Sequence, residues 1–246
     1  MNVPHKQPTT TAGSVKLERT FQRFTLSQRW EHAILLLSVV GLLFTGLPQK
    51  YQTTGWGQWI ISSPERLGQI QQIHHIFALL LIAEVLYHLI RGVSLMARRR
   101  LPGSIFPTWQ DLHAAWQMIK YLLFLTRKKP VFEKYNFEQK FTYWFLFFGI
   151  GILVLSGLVL WFPLVITRFL PGGILPAAYL AHSNEAIVAA VFILIWHFYH
   201  VHFQRLNLSI FTGRLSEDEM RDYHAAEFQR LTGGKTAKGE KQGGSQ

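Results

Sequence analysis

The sequence predicts an all-α integral membrane protein: a four-helix transmembrane bundle with both termini in the cytoplasm and an amphipathic helix on the cytoplasmic surface. Four apolar blocks of the 246-residue chain are each long enough to cross about 30 Å of hydrocarbon at about 1.5 Å per residue. The Lys and Arg residues lie almost wholly in alternate segments between these blocks. One of those segments carries apolar residues at helical spacing.

The predicted transmembrane spans cover residues 30–47, 70–93, 141–162 and 180–203. The segment before the first span is polar and basic, without a short apolar core and a small-residue cleavage site. We therefore expect no cleaved signal peptide, and we expect the first span itself to direct insertion.

The domain organisation follows from these spans. We expect a cytoplasmic N-terminal tail over residues 1–28, a transmembrane domain over residues 29–205 and a cytoplasmic C-terminal tail over residues 206–246. The transmembrane domain is the part of the chain in which we expect a cofactor to bind.

The 25 Lys and Arg residues indicate the orientation of the bundle. The segments 1–29, 91–140 and 203–246 hold 22 of them, whereas the loops 48–69 and 163–181 hold three. Cytoplasmic segments of membrane proteins carry such an excess of positive charge, so we expect both termini inside. The net charge of +11 is thus explained by topology, and we do not expect nucleic-acid binding.

The long cytoplasmic segment between the second and third spans contains the predicted amphipathic helix. Trp109, Leu112, Trp116, Ile119 and Leu123 recur at helical spacing between polar residues. We expect this helix to lie on the membrane surface as an interfacial brace.

The chain has no cysteine. This excludes iron–sulfur clusters, thiolate haem ligands and covalently attached c-type haem from the chain itself. Histidine is therefore the candidate residue type for a metal ligand in this chain.

Eight of the 11 histidines lie in or at the ends of the predicted spans. Histidine is costly at membrane depth, so each needs a partner or a function. Sorted by depth, they form two layers. The outer layer has His74 or His75 opposite His182. The inner layer has His32, His88 and His197, with His200 and His202 further along the last span.

The spacing of the histidines suits two stacked b-type haems. His74 and His88 are 14 residues apart, about 21 Å along a helix, and share one face. His182 and His197 are 15 residues apart, a looser match that a π-bulge would correct. A low-spin haem iron needs one imidazole on each face, so its two ligands come from different helices.

We expect His32, His74, His182 and His197 to be haem ligands rather than interfacial histidines. His75 points about 100° away from His74 on a helix, so we expect it to donate a hydrogen bond instead. His88 competes with His32 for the inner iron. A third haem held by His88 with His200 or His202 is the alternative.

Two further features of the spans are open to two interpretations. Glu84 and Glu185 could relay protons or bond a histidine, although a satisfied polar contact is the favoured interpretation. Small residues such as Gly41, Gly149 and Gly157 would let a flat macrocycle lie against the helices, but they serve ordinary helix packing equally well.

Several segments of the chain carry a family resemblance. They are Arg-Trp-Glu-His at 29–32, Ile-His-His-Ile-Phe-Ala at 73–78, Lys-Tyr-Asn-Phe-Glu-Gln-Lys at 134–140 followed by Trp144, Ser-Gly-Leu-Val-Leu-Trp-Phe-Pro at 156–163, and His182 through Trp-His-Phe-Tyr at 196–199. In their order and spacing they resemble the cytochrome b (gamma) subunit of respiratory formate dehydrogenases and related di-haem membrane anchors.

The resemblance implies a more specific site. The outer haem would use His74 and His182, and the inner haem His32 and His197. A quinone, menaquinone or ubiquinone, would bind near the inner haem beside Asn136 and Gln139, whose amides can hydrogen-bond a quinone carbonyl. From the chemistry of the side chains alone, capping the third span is an equal role for these two amides.

The implied function is electron transfer in the bacterial inner membrane, with no catalytic site for an organic substrate other than quinone. Electrons would pass through two b-type haems between a periplasmic redox subunit (an iron–sulfur or multihaem cytochrome protein of a complex with its own catalytic subunit) and quinone near the cytoplasm, in either direction. The alternatives are a histidine-rich four-helix transporter or metalloenzyme, and a cofactor-free membrane anchor.

Overall fold

The computed structural model of the protein describes residues 19–98, 106–126, 137–203, 208–223, 228–229 and 231–232. Its main helices are α1 (Leu26–Lys50), α3 (Pro64–Ala97), α5 (Phe137–Trp161) and α7 (Ile174–Phe192). Shorter elements connect or follow them: β1 (Thr20–Gln22), α2 (Gly55–Ile60), α4 (Trp109–Leu122), α6 (Pro163–Ile166), α8 (Ser209–Thr212), β2 (Arg214–Ser216) and α9 (Glu217–Tyr223).

Four of these helical segments are long and apolar enough to cross a membrane, which confirms the predicted all-α four-helix membrane bundle. They are Leu26–Lys50, Pro64–Ala97, Gln139–Trp161 and Ile174–His197. Large apolar side chains cover their outward surfaces, among them Phe44, Ile76, Leu155 and Leu194. Such exposure is costly in water but favourable against lipid.

The helices begin where the sequence offers N-terminal caps. The Thr25 hydroxyl accepts a hydrogen bond from the Gln28 amide at the start of α1, and Gln28 bonds back to Thr25. Ser63 caps α3, and Pro64 follows at its first turn. Because these polar caps precede the apolar blocks, both helices begin several residues before the predicted spans.

The last span departs from regular α-helix. After α7, residues Ile193–His197 and Tyr199–Phe203 form π-helical segments. A π-helical turn holds more residues than an α-helical turn and rotates the residues that follow it. A π-bulge could correct the 15-residue spacing between His182 and His197, and the structure contains π-helical turns in this part of the span.

The four long helices pack as two pairs, α1 against α3 and α5 against α7, with far fewer contacts between α1 and α7. We call the end of the bundle where α1 begins and α3 ends the basic end, because the Lys- and Arg-rich segments adjoin it, and we call the opposite end the far end.

A small two-stranded sheet joins segments that the sequence assigned to tails. β1 and β2 are antiparallel, with Phe21 opposite Leu215. Leu215 and Met220 are buried beside the pairing. Strands of three residues carry no periodic pattern, which is why the division at residues 28 and 206 missed them.

The predicted amphipathic helix is present as α4, Trp109–Leu122, and it packs against α5. Asp111 bonds back to the Thr108 amide at its start, and both Asp111 carboxylate oxygens accept from Lys140 of α5 at 2.8 Å. Trp109, Leu112 and Trp116 remain exposed, as expected for a helix at a membrane surface.

Candidate haem-binding site

At the far end, His74 of α3 faces His182 of α7. Their ring centroids are 6.4 Å apart with an interplanar angle of 71°. Each helix pair supplies one ring, so the contact joins the two halves of the bundle. The structure therefore selects His74 rather than His75 as the residue opposite His182.

A hydroxyl group holds each of these two imidazoles from behind. Thr45 Oγ1 lies 2.8 Å from His74 Nδ1, and Ser156 Oγ lies 3.1 Å from His182 Nδ1. Both hydroxyls belong to the helix that pairs with the helix of the histidine, α1 for His74 and α5 for His182. The two halves of the bundle thus repeat one local arrangement.

The hydrogen bonds fix which ring nitrogen carries the proton. Thr45 donates its hydroxyl hydrogen to the carbonyl of Gly41 (2.7 Å), and Ser156 donates to that of Ile152 (2.6 Å). Each hydroxyl oxygen is then an acceptor for the histidine Nδ1–H. His182 Nδ1 also lies 3.0 Å from the Leu153 carbonyl, which can only accept. In this tautomer Nε2 keeps its lone pair for a metal.

A glycine follows each of the two hydroxyl residues and makes room for the imidazole. A Cβ atom at Gly46 would lie 3.2 Å from His74 Cε1, and one at Gly157 would lie 3.0 Å from His182 Cε1. A larger residue at either position would push against the ring. The pairs Thr45–Gly46 and Ser156–Gly157 therefore form equivalent cradles for the two histidines.

Towards the basic end, His32 of α1 faces His197 at the end of the first π-helical segment. Their ring centroids are also 6.4 Å apart, with an interplanar angle of 33°. This pair again takes one ring from each half of the bundle.

The separation within each pair suits a six-coordinate haem iron. A metal–imidazole nitrogen bond is about 2.0–2.1 Å, and a ring nitrogen lies about 1 Å from its ring centroid, so the metal lies about 3 Å from each centroid. Half of the observed 6.4 Å is about 3.2 Å. Two opposed imidazoles at this spacing fit a bis-histidine haem, and the cysteine-free sequence offers no competing thiolate.

The structure gives His88 a different environment from that of the facing pairs. Its Nδ1 lies 2.9 Å from Glu31 Oε2, and its Nε2 lies 3.1 Å from the Tyr143 hydroxyl. Both ring nitrogens therefore have protein partners. The Nδ1 atom of His200 lies 2.8 Å from the Trp196 carbonyl.

Glu31 anchors a polar cluster at the basic end. Its carboxylate accepts hydrogen bonds from Arg91 (2.7 Å) and Ser27 (3.0 Å) as well as contacting His88. Glu84, one turn before His88 on α3, brings a carboxylate oxygen within 4.8 Å of the ligating atoms of Glu31 and His88. Glu84 therefore lies close to a histidine, and its role as a proton relay, a histidine partner or a satisfied polar contact stays a prediction.

The remaining predicted site residues lie in different surroundings. His75 stacks on Trp161 with centroids 4.0 Å apart. Gln139 accepts a hydrogen bond from Arg23 at 3.4 Å. Asn136 lies outside the described residues, as does the side chain of His202.

Comparison with known families assigns the chain. The family model described as prokaryotic cytochrome b561 matches residues 23–213, which include all four spans and all four facing histidines. The chain belongs to the prokaryotic cytochrome b561 family. It is thus a prokaryotic membrane cytochrome b, of a family that binds haem b and transfers electrons. No individual curated protein matches the sequence.

Sequence reasoning missed several residues around the histidines of this cytochrome b. Thr45, Ser156, Glu31 and Tyr143 were not singled out as histidine partners. The repeated order of hydroxyl residue and glycine, Thr45–Gly46 and Ser156–Gly157, was a signal that could have identified two of them. The Glu31 and Tyr143 contacts depend on helix rotation, which hydropathy does not specify.

Proposed function

We propose that this cytochrome b is the membrane subunit of a respiratory oxidoreductase complex. Electrons would pass through two b-type haems between a redox partner at the far end and quinone near the basic end. The proposal rests on the two pairs of facing histidines. In each pair the ring centroids are 6.4 Å apart, and each pair joins the two halves of the bundle.

The chain's own residues hold and orient the cofactors in this proposal. His74 and His182 bind one haem, and His32 and His197 bind the other. Bound haem iron supplies reversible one-electron oxidation and reduction. Thr45 and Ser156 hold Nδ1 of their histidines in hydrogen bonds, which restrain the rings and would leave Nε2 to bind the metal.

The contacts of the described histidines favour two bound haems over three. His88 uses both ring nitrogens on Glu31 and Tyr143, and an axial ligand must present a free lone pair. We therefore assign His88 to the polar cluster and not to an iron. The third haem with His200 or His202 has no support from the His88 geometry.

We place the basic end in the cytoplasm and the far end in the periplasm of the bacterial inner membrane. The 22 Lys and Arg residues of the three basic segments support this orientation. At the far end, Lys50 of α1 donates to the Ser183 carbonyl and the Asn184 side chain, both at 3.1 Å, and so ties the two halves beside His182. A periplasmic iron–sulfur or multihaem subunit, attached to the catalytic subunit, would dock here.

We propose that quinone binds near His32, at the basic end, which we place in the cytoplasm. Gln139 lies on α5 one turn before Tyr143, on the same end of the bundle as the Glu31 cluster. With Asn136, it remains our candidate to hydrogen-bond a quinone carbonyl, of menaquinone or ubiquinone. The resemblance to the formate dehydrogenase gamma subunit supports this placement, and the same chemistry serves quinone reduction or quinol oxidation.

A reductant test addresses the function directly. Menaquinol and ubiquinol analogues are added to the purified cytochrome, and the reduced α-band is followed by stopped-flow absorption. We expect one of them to reduce the haem, and we expect Gln139→Leu to slow that reaction while dithionite still gives the full spectrum. Haem that only dithionite reduces would contradict the quinone proposal.

A further inference from the structure

The polar cluster at the basic end is unusual for a membrane interior, because it combines two carboxyl groups with a histidine. Ligating atoms of Glu31, Glu84 and His88 all lie within 4.8 Å of one another. The cluster lies between α1 and α3 and reaches α5 through Tyr143. Ionisable residues at membrane depth are expensive and commonly serve ion or proton transfer.

Glu31 is the fixed member of this cluster. Its side chain is 9% exposed and is held by Arg91 at 2.7 Å, by Ser27 at 3.0 Å and by His88 at 2.9 Å. Arg91 and Ser27 both donate to Oε1 of this carboxylate, whereas His88 Nδ1 lies beside Oε2. The two oxygens of Glu31 thus join Ser27 to His88.

The cluster brings three titratable groups together beside one permanent cation. Glu31, Glu84 and His88 can each bind a proton, whereas the Arg91 guanidinium cannot release one. Among the residues that the structure describes, Tyr143, Ser27 and, through Ser27, Tyr87 also face His88 and Glu31.

A divalent metal fits the same cluster less well. Arg91 already neutralises Glu31, and both His88 nitrogens are taken up by protein partners. A metal would have to compete with the guanidinium for the same carboxylate. A proton can bind without displacing Arg91 or the hydrogen-bond partners of His88.

The cluster also has an exit towards the basic end. Ser27 bonds Glu31 on one side and lies 3.1 Å from the Tyr87 hydroxyl on the other. Tyr87 is 51% exposed and, with Arg91, Ser94 and Arg98, lines a groove of about 270 Å³ that opens at this end. Hydrogen bonds therefore run from His88 through Glu31 and Ser27 to Tyr87 at the surface, and a Glu84 carboxylate oxygen lies within 4.8 Å of the first two groups.

We propose that Glu84 and His88 hold and transfer a proton for the quinone reaction at the basic end. The inference rests on the proposed quinone function. Reduction of a quinone to a quinol takes up two electrons, which come from the redox partner of the proposed function, and two protons, which convert its carbonyl oxygens to hydroxyls. The cluster supplies both protons, one after the other, and after each transfer it takes a new proton from the cytoplasmic water along the hydrogen bonds of Tyr87, Ser27 and Glu31. Quinol oxidation runs the same transfer in reverse.

The test compares Glu84→Gln and His88→Gln with matched controls. Glu65→Gln and His113→Gln remove the same chemical groups from exposed positions on α3 and α4. We expect Glu84→Gln and His88→Gln to slow quinol-driven haem reduction by about 100-fold, within the range for a positioned acid–base group. Haem content and dithionite spectra should match the wild type, and Glu84→Asp should restore much of the rate.

An infrared measurement gives a readout independent of turnover. The redox difference spectrum of the wild type should show the carbonyl stretch of a protonated carboxylic acid, shifted in D₂O and absent in Glu84→Gln. Normal quinol rates in both Gln variants, together with an unchanged infrared band, would overturn this inference alone. A wild-type protein that no quinol reduces would overturn the proposed function and this inference together.

Discussion

Thr45 and Ser156 show how much of the site is decided by single hydroxyl groups. Each donates to a backbone carbonyl one turn earlier and so must accept from a histidine Nδ1–H. This arrangement sets the tautomer and increases the basicity of the opposite nitrogen. The proposed ligand roles of His74 and His182 rest on this arrangement in both halves of the bundle.

Removing either hydroxyl should therefore change the electronic properties of the far-end haem. We expect Thr45→Val and Ser156→Ala to raise its midpoint potential by tens of millivolts, because a less basic imidazole stabilises ferric iron less. Haem retention in detergent should weaken by about 10- to 100-fold. Thr45→Ser should behave as the wild type.

The measurement is a spectroelectrochemical titration that resolves the two haems, with Thr212→Val of α8 as a control hydroxyl at the other end of the bundle. Unchanged potentials in both Thr45→Val and Ser156→Ala would show that the hydroxyls do not support haem ligands.

At the scale of elements, the sequence predicted the helices well and their mutual rotation poorly. Apolar blocks were sufficient to predict four spans. The 15-residue spacing from His182 to His197 left room for a π-bulge, and the structure has a π-helical segment at Ile193–His197. Whether His88 faces an iron or Glu31 depends on how α3 is rotated against α1 and α5. That rotation is set by contacts between helices distant in sequence, such as His88 with Tyr143.

The packing of α1 on α3 depends on a glycine. A Cβ atom at Gly41 would lie 2.5 Å from the ring of Phe77, so the ring would have to move or the two helices would have to separate. We expect Gly41→Ala to cost about 1–3 kcal/mol, the usual penalty for overpacking. Gly151→Ala of α5, where a Cβ meets no atom within 4 Å, should be neutral or mildly stabilising.

Thermal unfolding in detergent, followed by loss of the Soret band, compares the two glycine variants. Equal midpoints for Gly41→Ala and Gly151→Ala would contradict the close approach of α1 and α3.

The docking of α4 depends on one ion pair. Asp111 is partly buried, which raises its pKa, but the hydrogen bonds from Lys140 and Thr108 outweigh burial and hold the pKa below its ordinary value. The pair therefore stabilises docking at neutral pH, and the stabilisation is lost only as the pH falls through this lowered pKa. Asp111→Asn should lose it at every pH, at a cost of about 1.5–3 kcal/mol.

Limited trypsin digestion at Lys120 measures this docking. Cleavage should be faster in Asp111→Asn than in the wild type or in Asp222→Asn, a change at an exposed site on α9. If cleavage at pH 7 were equally slow in all three proteins, the Asp111–Lys140 contact would not hold α4 in place.

The whole molecule consists of two halves that the histidines join. α1 and α3 supply His32 and His74, whereas α7 and the π-helical segment that continues it supply His182 and His197. Neither half alone could provide two axial ligands to one iron. We therefore expect assembly of the complete bundle and cofactor binding to depend on each other.

The orientation of the bundle is testable with reporter fusions. We expect alkaline phosphatase inserted in the loop between α1 and α3 to be active, since that enzyme folds in the periplasm. A fluorescent protein fused after residue 246 should be fluorescent in the cytoplasm. The reverse pattern would contradict the placement of the basic end inside.

The central claim is that two facing histidine pairs hold two haems, and haem stoichiometry in single-ligand variants tests it most directly. The purified cytochrome should contain two b-type haems per chain, with a Soret band and a reduced α-band. His74→Ala and His182→Ala should lose the same haem, and His32→Ala and His197→Ala should lose the other, whereas His88→Ala retains both. A wild type with one or three haems, or a His88 variant that loses one, would contradict this account.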